Sequence, residues 1–346
     1  MKDLKAVLEK LIAKKDLGPQ EMQEVFQALL EGEVNEPQLA GFLVALRAKG
    51  ESWEEIAAAA RVLREAALKV PHRLPPEEPL VDTCGTGGDQ KGTFNVSTAA
   101  AFVVAAAGVK VAKHGNRSVS SKCGSADVLE ALNVKVDMPP EMAAECLERL
   151  GLCFLFAPLY HPALKEVAPV RKALGIRTIF NLLGPLLNPA GANTQVLGVS
   201  DFRLTEKMAF ALDALGCRRA LVVFGEEGYD EFVVTGSTKV SELREGRITT
   251  YYVDPEDVGL EFCEEPEELR GGDAQENARI IRDILAGKEE GPRRDMVALN
   301  AGAAIYAAER AIDLKAGVKK ALEILSSGKA LDKLEELISF SQRHTQ

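Results

Sequence analysis

The sequence predicts an α/β protein with a small all-helical N-terminal domain and a larger α/β domain built on a mainly parallel central sheet. Three observations predict it. The first seventy residues carry apolar side chains at helical spacing; Pro71, Pro75, Pro76 and Pro79 then break the chain; beyond them short apolar runs alternate with helical stretches. Such alternation is the mark of parallel strands joined by helical crossovers.

In order, Leu4, Val7, Leu8, Leu11 and Ile12 share one face of a first helix. Pro19 and Glu21 open a second, which carries Val25, Phe26, Leu29 and Leu30. Asn35-Glu36-Pro37-Gln38 caps a third, with Leu39, Phe42, Leu43 and Leu46 inward. Ser52-Trp53-Glu54-Glu55 is a capping box for a fourth, from Ile56 to Leu68. After the prolines, strands are expected at 80–83, 109–112, 153–156, 195–199 and 220–224. Helices are expected at 98–107, 126–132, 204–215, 276–286, 296–308 and 314–325. The stretch around 162–188 is helical again and is expected to return to the first domain. The helical domain would then be 1–72 with 162–188, and the α/β domain 78–160 with 190–346.

The composition narrows the function. A chain that is 46% hydrophobic and 27% charged has a real core, and with only 5% aromatics that core rests on Ala, Leu and Val. A net charge of -10 argues against a general nucleic-acid binder, which needs a basic surface. The opening MKDLKAVLEKLIAKK is an amphipathic helix pattern without an apolar signal core, and the most apolar run, Ala99 to Val109, has 11 residues, too few to span a bilayer. A cytoplasmic protein is expected. No two of the six cysteines are spaced C-x-x-C and the histidines form no HExxH, so reduced, buried thiols are expected rather than a zinc site.

Chemistry concentrates between Gly85 and Ser125. Asp82-Thr83-Cys84-Gly85-Thr86-Gly87-Gly88-Asp89 stands where a strand ends, and its glycines let successive N–H groups converge on an anion. A dinucleotide fingerprint from Gly85 would need glycine at 90, where Gln90 stands, and a P-loop from Gly87 would need Lys-Ser/Thr where Thr93-Phe94 follows. Asn95-Val96-Ser97-Thr98 opens the Ala-rich helix, offering hydroxyls and free N–H groups. The run from Lys113 to Ser125 ends the next strand and gathers three cations, an amide, four hydroxyls and two glycines, a donor set suited to anionic groups. Asp230-Glu231 follows the strand 220–224. Adjacent acids are usually solvated, but beside a phosphate site Mg²⁺ is their natural partner.

GTGGD (85–89), NVST (95–98), KHGNRSVSSKCGSADVLEAL (113–132), Asp230-Glu231, VRKALGIRTIFNLLGPLLNP (170–189) and GGDAQENARII near 280 strongly resemble the anthranilate phosphoribosyltransferases, over essentially the whole chain. The resemblance implies transfer of phosphoribose from 5-phosphoribosyl-1-diphosphate to anthranilate, in a cleft between a helical and an α/β domain, by a homodimer joined through the helical domain. It implies that Gly85, Gly88, Asp89 and Thr93, with Asn95, Val96, Ser97 and Thr98, hold the donor. Lys113, His114, Gly115, Asn116 and Arg117, then Ser118, Val119, Ser120, Ser121 and Ser125, complete that site. Gly85, Asn116 and Arg171 would meet anthranilate, and Ser97, Asp230 and Glu231 would hold Mg²⁺. No catalytic base is implied. His114 could accept the late proton, and a structural or binding role fits it equally. Asn133 replaces a usual glycine, Tyr229 a usual leucine, and Phe232-Val233-Val234 the usual small polar residues. A pyrimidine-nucleoside phosphorylase shares the fold but would lead into its glycines with lysine, serine and threonine. A nucleic-acid-binding relative without catalysis would need a basic surface.

Overall fold

A computed structural model of the chain describes residues 4–118 and 122–343. Four helices come first, α1 (Leu4–Ile12), α2 (Pro19–Leu30), α3 (Glu36–Lys49) and α4 (Trp53–Ala66). The caps form as the sequence predicts. Glu55 N donates to Ser52 Oγ at 3.2 Å and Ser52 N to Glu55 Oε2 at 2.8 Å, the reciprocal bonds of a capping box. Glu55 is wholly buried and also accepts from Leu17 N and from Lys49 Nζ, each at 2.8 Å. One carboxylate therefore ties the α1–α2 loop, the end of α3 and the start of α4.

The second part runs β1 (Leu80–Asp82), α5 (Val96–Ala106), β2 (Lys110–Gly115), α6 (Ser125–Ala131), α7 (Pro140–Leu150), β3 (Leu152–Phe156) and α8 (Ala157–Tyr160). A 3-10 turn (Pro162–Val167), α9 (Ala168–Leu174) and α10 (Ile179–Leu183) follow, then β4 (Thr194–Gly198), α11 (Leu204–Ala214) and β5 (Arg219–Gly225). The chain ends with β6 (Thr238–Arg244), β7 (Arg247–Val253), α12 (Ala274–Leu285), α13 (Pro292–Ala307), α14 (Leu314–Ser326) and α15 (Lys329–Arg343).

The seven strands form one sheet in the order β3-β2-β1-β4-β5-β6-β7. The first five are parallel, while β6 and β7 add an antiparallel edge. That hairpin is absent from the sequence expectation. Its turn, Glu245-Gly246, takes φ of 51° and 74°, the two left-handed residues of a type I′ turn, with glutamate where asparagine or aspartate usually signals one. Helices α7 and α15 also go beyond the expectation. Asn133 takes φ 67°, the left-handed conformation that asparagine tolerates in place of glycine.

Alternate residues of β5 face opposite layers. Leu221 and Val223 pack with α5, α13, α14 and α15, whereas Ala220 and Val222 pack with the N-terminal helices and α11. The segment after β3 joins this second layer. Val167, Val170, Ile179 and Leu183 share a cluster with Phe26, Phe42 and Leu46, and the Phe26 and Phe180 rings lie 5.8 Å apart. Among the described residues no helix is long and apolar enough to cross a membrane.

Removing the Glu55 carboxylate leaves Leu17 N and Ser52 N without their acceptor, while the Lys49 ammonium keeps Asp16 Oδ1 at 2.5 Å and Gly50 O at 2.7 Å. A buried donor left unsatisfied costs about 1–3 kcal/mol. Glu55→Ala should therefore lower unfolding free energy by about 3 kcal/mol in urea titration. An unchanged midpoint would show that the carboxylate does not hold these helices.

Candidate active site

The strand order turns between β1 and β4, so the chain leaves these neighbours in opposite directions and opens a crevice at their C-terminal ends. Residues 83–95 follow β1, 116–118 and 122–125 follow β2 and 226–231 follow β5, all on that edge. They meet backbone to backbone. Thr86 N donates to Gly198 O at 2.8 Å. A Cβ on Gly198 would stand 1.5 Å from Asp230 O, and one on Gly85 only 3.1 Å from Gly198 O and 3.2 Å from Asp230 Oδ2. Gly87 N donates to Asp230 Oδ2 at 2.7 Å, so the glycine loop is bound to the acidic pair.

Lys113, at the end of β2, is the buried cation of the crevice. Its Nζ donates to Ser97 Oγ at 3.2 Å and to Thr83 O and Oγ1 at 3.4 Å. Ser97 N donates to the Glu231 carboxylate, which joins Ser97, Lys113 and Glu231 in one cluster. Burial, and then neighbouring Asp89, pushes Asp230 up to about 7. Burial and Asp230 push Glu231 well above the usual carboxylate range, with Lys113 opposing. In the glycine loop Asp89 Oδ2 and Thr86 Oγ1 are buried without a hydrogen-bond partner among the described residues. Three part-buried acids facing one ammonium leave negative charge uncompensated, and their hard oxygens suit a divalent cation such as Mg²⁺.

The KHGN strand end is held from below. His114 N donates to Asp82 Oδ1 at 3.2 Å and Asn188 Nδ2 to Asp82 Oδ2 at 2.8 Å; burial raises this carboxyl to about 6. His114 Nδ1 donates to Gly184 O at 3.2 Å, leaving Nε2 buried and unpartnered. Burial, and then His161 at 5.2 Å between ring centroids, pulls His114 down to about 3, so its ring is neutral and a weak base. Asp82, Cys84 and His114 come within 4.8 Å of one another, a grouping that linear spacing does not show. The Asp82 oxygens and His114 Nδ1 are already used, and burial pushes the Cys84 thiol up to about 12, so the group is a polar underpinning of the crevice.

Several expected residues are placed differently. Asn116 N donates to Ser125 Oγ at 3.2 Å, joining those two. Arg117 turns onto α6, where it pairs with both Glu130 oxygens at 2.6 Å and with Asp127 at 3.1 Å, and it stacks on Phe156. Ser118 N and Gly124 N both donate to Asp127 Oδ2, closing the base of the loop. Val119, Ser120 and Ser121 lie outside the described residues. Val96 is buried in the core, and the buried Thr98 hydroxyl has no partner among the described residues. Arg171, on α9, is half-buried over the Phe180 ring, and among the described residues no hydrogen bond or ion pair joins its guanidinium to Asn116, Gly85 or another side chain. Burial lowers its pKa.

Two asparagines that the sequence reading passes over hold the site in place. Asn277 Nδ2 donates to Asn95 Oδ1 at 3.0 Å while its own Oδ1 accepts from Gly272 N at 2.8 Å, and Asn95 Nδ2 reaches Cys123 O at 3.2 Å. Gly271 N donates to Gly92 O at 2.9 Å and Thr93 bridges Arg270, so the segment before α12 clasps the NVST loop. Asn300 on α13 takes the Phe232 N–H at 3.0 Å and donates to Phe232 O at 2.9 Å, fixing the backbone after Glu231. Phe232, Val233 and Val234 themselves are core residues. A polar residue inside an apolar helix face was the available signal for both asparagines.

Residues 77–331 match the glycosyl transferase family a/b domain and residues 5–67 that family's helical bundle domain. The anthranilate phosphoribosyltransferase of Desulfosudis oleivorans is 55% identical over 335 residues, 97% of this chain and 98% of its own. That of Methanocorpusculum labreanum is 51% identical, over 96% of this chain and 97% of its own. The crystal structure of the Thermus thermophilus enzyme superposes with a TM-score of 0.90 at 51% identity, covering 97% of this chain and 99% of that one. The Saccharomyces cerevisiae enzyme, solved in complex with PRPP and Mg, superposes with a TM-score of 0.88 at 30% identity, over 98% of this chain and 97% of its own. The chain belongs to the anthranilate phosphoribosyltransferase family of glycosyl transferases.

Proposed function

We propose that this chain transfers the 5-phosphoribosyl group of 5-phosphoribosyl-1-diphosphate to the amine of anthranilate, releasing diphosphate, as a step of tryptophan biosynthesis. The observation that carries the reading is the full-length likeness at 55% identity, on a chain that keeps the glycine nest, the buried lysine and the acid pair at one sheet edge. The yeast enzyme solved with PRPP and Mg, and its complex with 4-fluoroanthranilate, support the same substrates and ion.

Displacement at the anomeric carbon puts positive charge on the sugar and negative charge on the departing diphosphate. The Gly85 and Gly88 loop amides, Thr93, the Asn95–Thr98 turn and Lys113 would receive that diphosphate in a preorganised pocket. Asn116, Ser118 and Ser125 would place the ribosyl phosphate, with Arg117 joining once it leaves Glu130. Mg²⁺, held by Ser97, Asp230 and Glu231, would supply electrophilic stabilisation of the diphosphate. Arg171 and Asn116 would hold anthranilate by its carboxylate and aim the arylamine in line. An arylamine is unprotonated near neutrality, so attack needs no strong base, and His114 at about 3 is too weak to be one.

The segment 162–188 belongs in this reading with residues 1–72, as its packing against α2 and α3 supports. The protein would work in the cytoplasm as a homodimer through its helical domain, a reading supported by Ile12 and Val44, which α1 and α3 leave exposed.

Arg171→Ala should raise the anthranilate KM about tenfold or more, the loss of one charge-assisted contact, with the donor KM almost unchanged. Loss of anthranilate fluorescence measures both. Equal effects on the two substrates would remove the assignment. Asp230→Asn with Glu231→Gln should cut Mg²⁺-dependent turnover by about a hundredfold or more. Full activity in that double variant would take the ion away from these residues.

A further inference from the structure

The segment between β3 and β4 carries a second arginine near the crevice. Arg177 stands between Gly175, the left-handed cap of α9, and Thr178, which opens α10. Its neighbours Val170 and Ile179 are packed with the helical layer, so the backbone here belongs to that layer. The side chain reaches the other way. Nη1 donates to Ser200 Oγ, just beyond β4. The rest of the guanidinium lies against Gly88: a Cβ there would stand 2.5 Å from Nη2, 3.2 Å from Cζ and 3.5 Å from Nε. Gly88, at φ 78°, is thus both the turn of the nest and the floor on which Arg177 rests.

Among the described residues Arg177 has no carboxylate partner; the Ser200 hydroxyl is its one hydrogen-bond acceptor. A guanidinium carries five donors in a plane that matches phosphate oxygens two at a time. Most of those donors are unused among the described residues, on top of the glycine loop that the phosphoribosyl-transfer reading assigns to the diphosphate. In the same loop Asp89 Oδ2 and Thr86 Oγ1 are buried without hydrogen-bond partners among the described residues. A neutral side chain could serve Ser200 equally well, so the charge needs another explanation.

We propose that Arg177 is a further donor-binding residue, laid by the helical layer on the diphosphate that the Gly85–Asp89 loop receives; the inference rests on the phosphoribosyl-transfer reading. Because negative charge grows on the diphosphate as the C–O bond breaks, the contact strengthens towards the transition state. The donor thereby bridges the two layers, with the sheet supplying the nest and the helical segment supplying the cation.

The test compares Arg177→Gln, Arg177→Lys and Ser200→Ala. Donor and anthranilate are varied separately with Mg²⁺ present, and binding of inorganic diphosphate with Mg²⁺ is measured by calorimetry. Arg177→Gln should raise the donor KM and the diphosphate Kd about tenfold or more, with the anthranilate KM within about twofold and Tm near the parent's. Arg177→Lys should recover part of the loss, and Ser200→Ala should stay within about threefold of the parent. Unchanged donor KM and diphosphate Kd in Arg177→Gln overturn the proposal. So does Ser200→Ala matching Arg177→Gln without rescue by lysine, which would make the residue a tie between loops. A parent protein that neither consumes anthranilate with the donor nor binds diphosphate overturns the phosphoribosyl-transfer reading, and this inference with it.

Discussion

The site depends on one steric fact, the contact of three backbones where the strand order turns between β1 and β4. Asp230 O occupies the space a side chain on Gly198 would need, and Gly85 packs against both. Glycine at 85 and 198 lets the loop after β1 and the turn after β5 close to hydrogen-bonding distance, as the bond from Gly87 N to Asp230 shows. Without that approach the acidic pair would stand away from the glycine nest and the two would be separate features. With it, the glycine nest and the acidic pair share one wall.

The same closeness creates an electrostatic debt. Asp230, at about 7, and Glu231, well above the ordinary range, are held in a place that disfavours their charge. Burial is the largest cause for both, and Lys113 is the only buried ammonium set against Glu231 among the described residues. A fold tolerates such groups where a ligand completes them. A divalent cation would bring the positive charge that the protein withholds, and phosphate oxygens would then find an ion beside the loop amides. The surrounding clamps explain how the acids stay in position when nothing binds them. Asn300 pins the peptide after Glu231, and Ser97 N holds the Glu231 carboxylate itself.

Features whose cause is local were legible in the sequence. The Ser52–Glu55 box, the proline break, and the strand-to-glycine transition at Asp82–Gly85 are each written within a few residues, and each stands where the residues put it. What was not legible joins distant positions. Nothing near Arg117 announces that Glu130 takes its guanidinium, and a rank of donors in one dimension reads as a phosphate site whichever way each side chain turns. Asn277 and Asn300 act on residues 182 and 68 positions away, so their polarity was visible and their partners were not. The β6–β7 hairpin hid for a different reason, since Glu245 accepts a left-handed conformation that turn statistics assign to asparagine.

The placement of Arg171 and Arg177 follows from topology. A chain leaving β3 at the sheet's edge must pass β2 and β1 to reach β4, so this connection has to be long and has to cross one face. It crosses on the face covered by the N-terminal helices, and Phe180 and Ile179 anchor it there. Of the connections in the parallel part of the sheet, this is the one that ends on β4, across the turn in strand order from β1. Residues midway along it, before it descends to the N-terminal end of β4, therefore pass beside the crevice while remaining packed in the other layer. Arg177 is such a residue, and Arg171, on α9 before the Gly175 cap, is carried by the same connection. If Arg171 meets the acceptor as proposed, a shift of the helical layer relative to the sheet would move both guanidinium groups and would link occupation of the nest to presentation of Arg171.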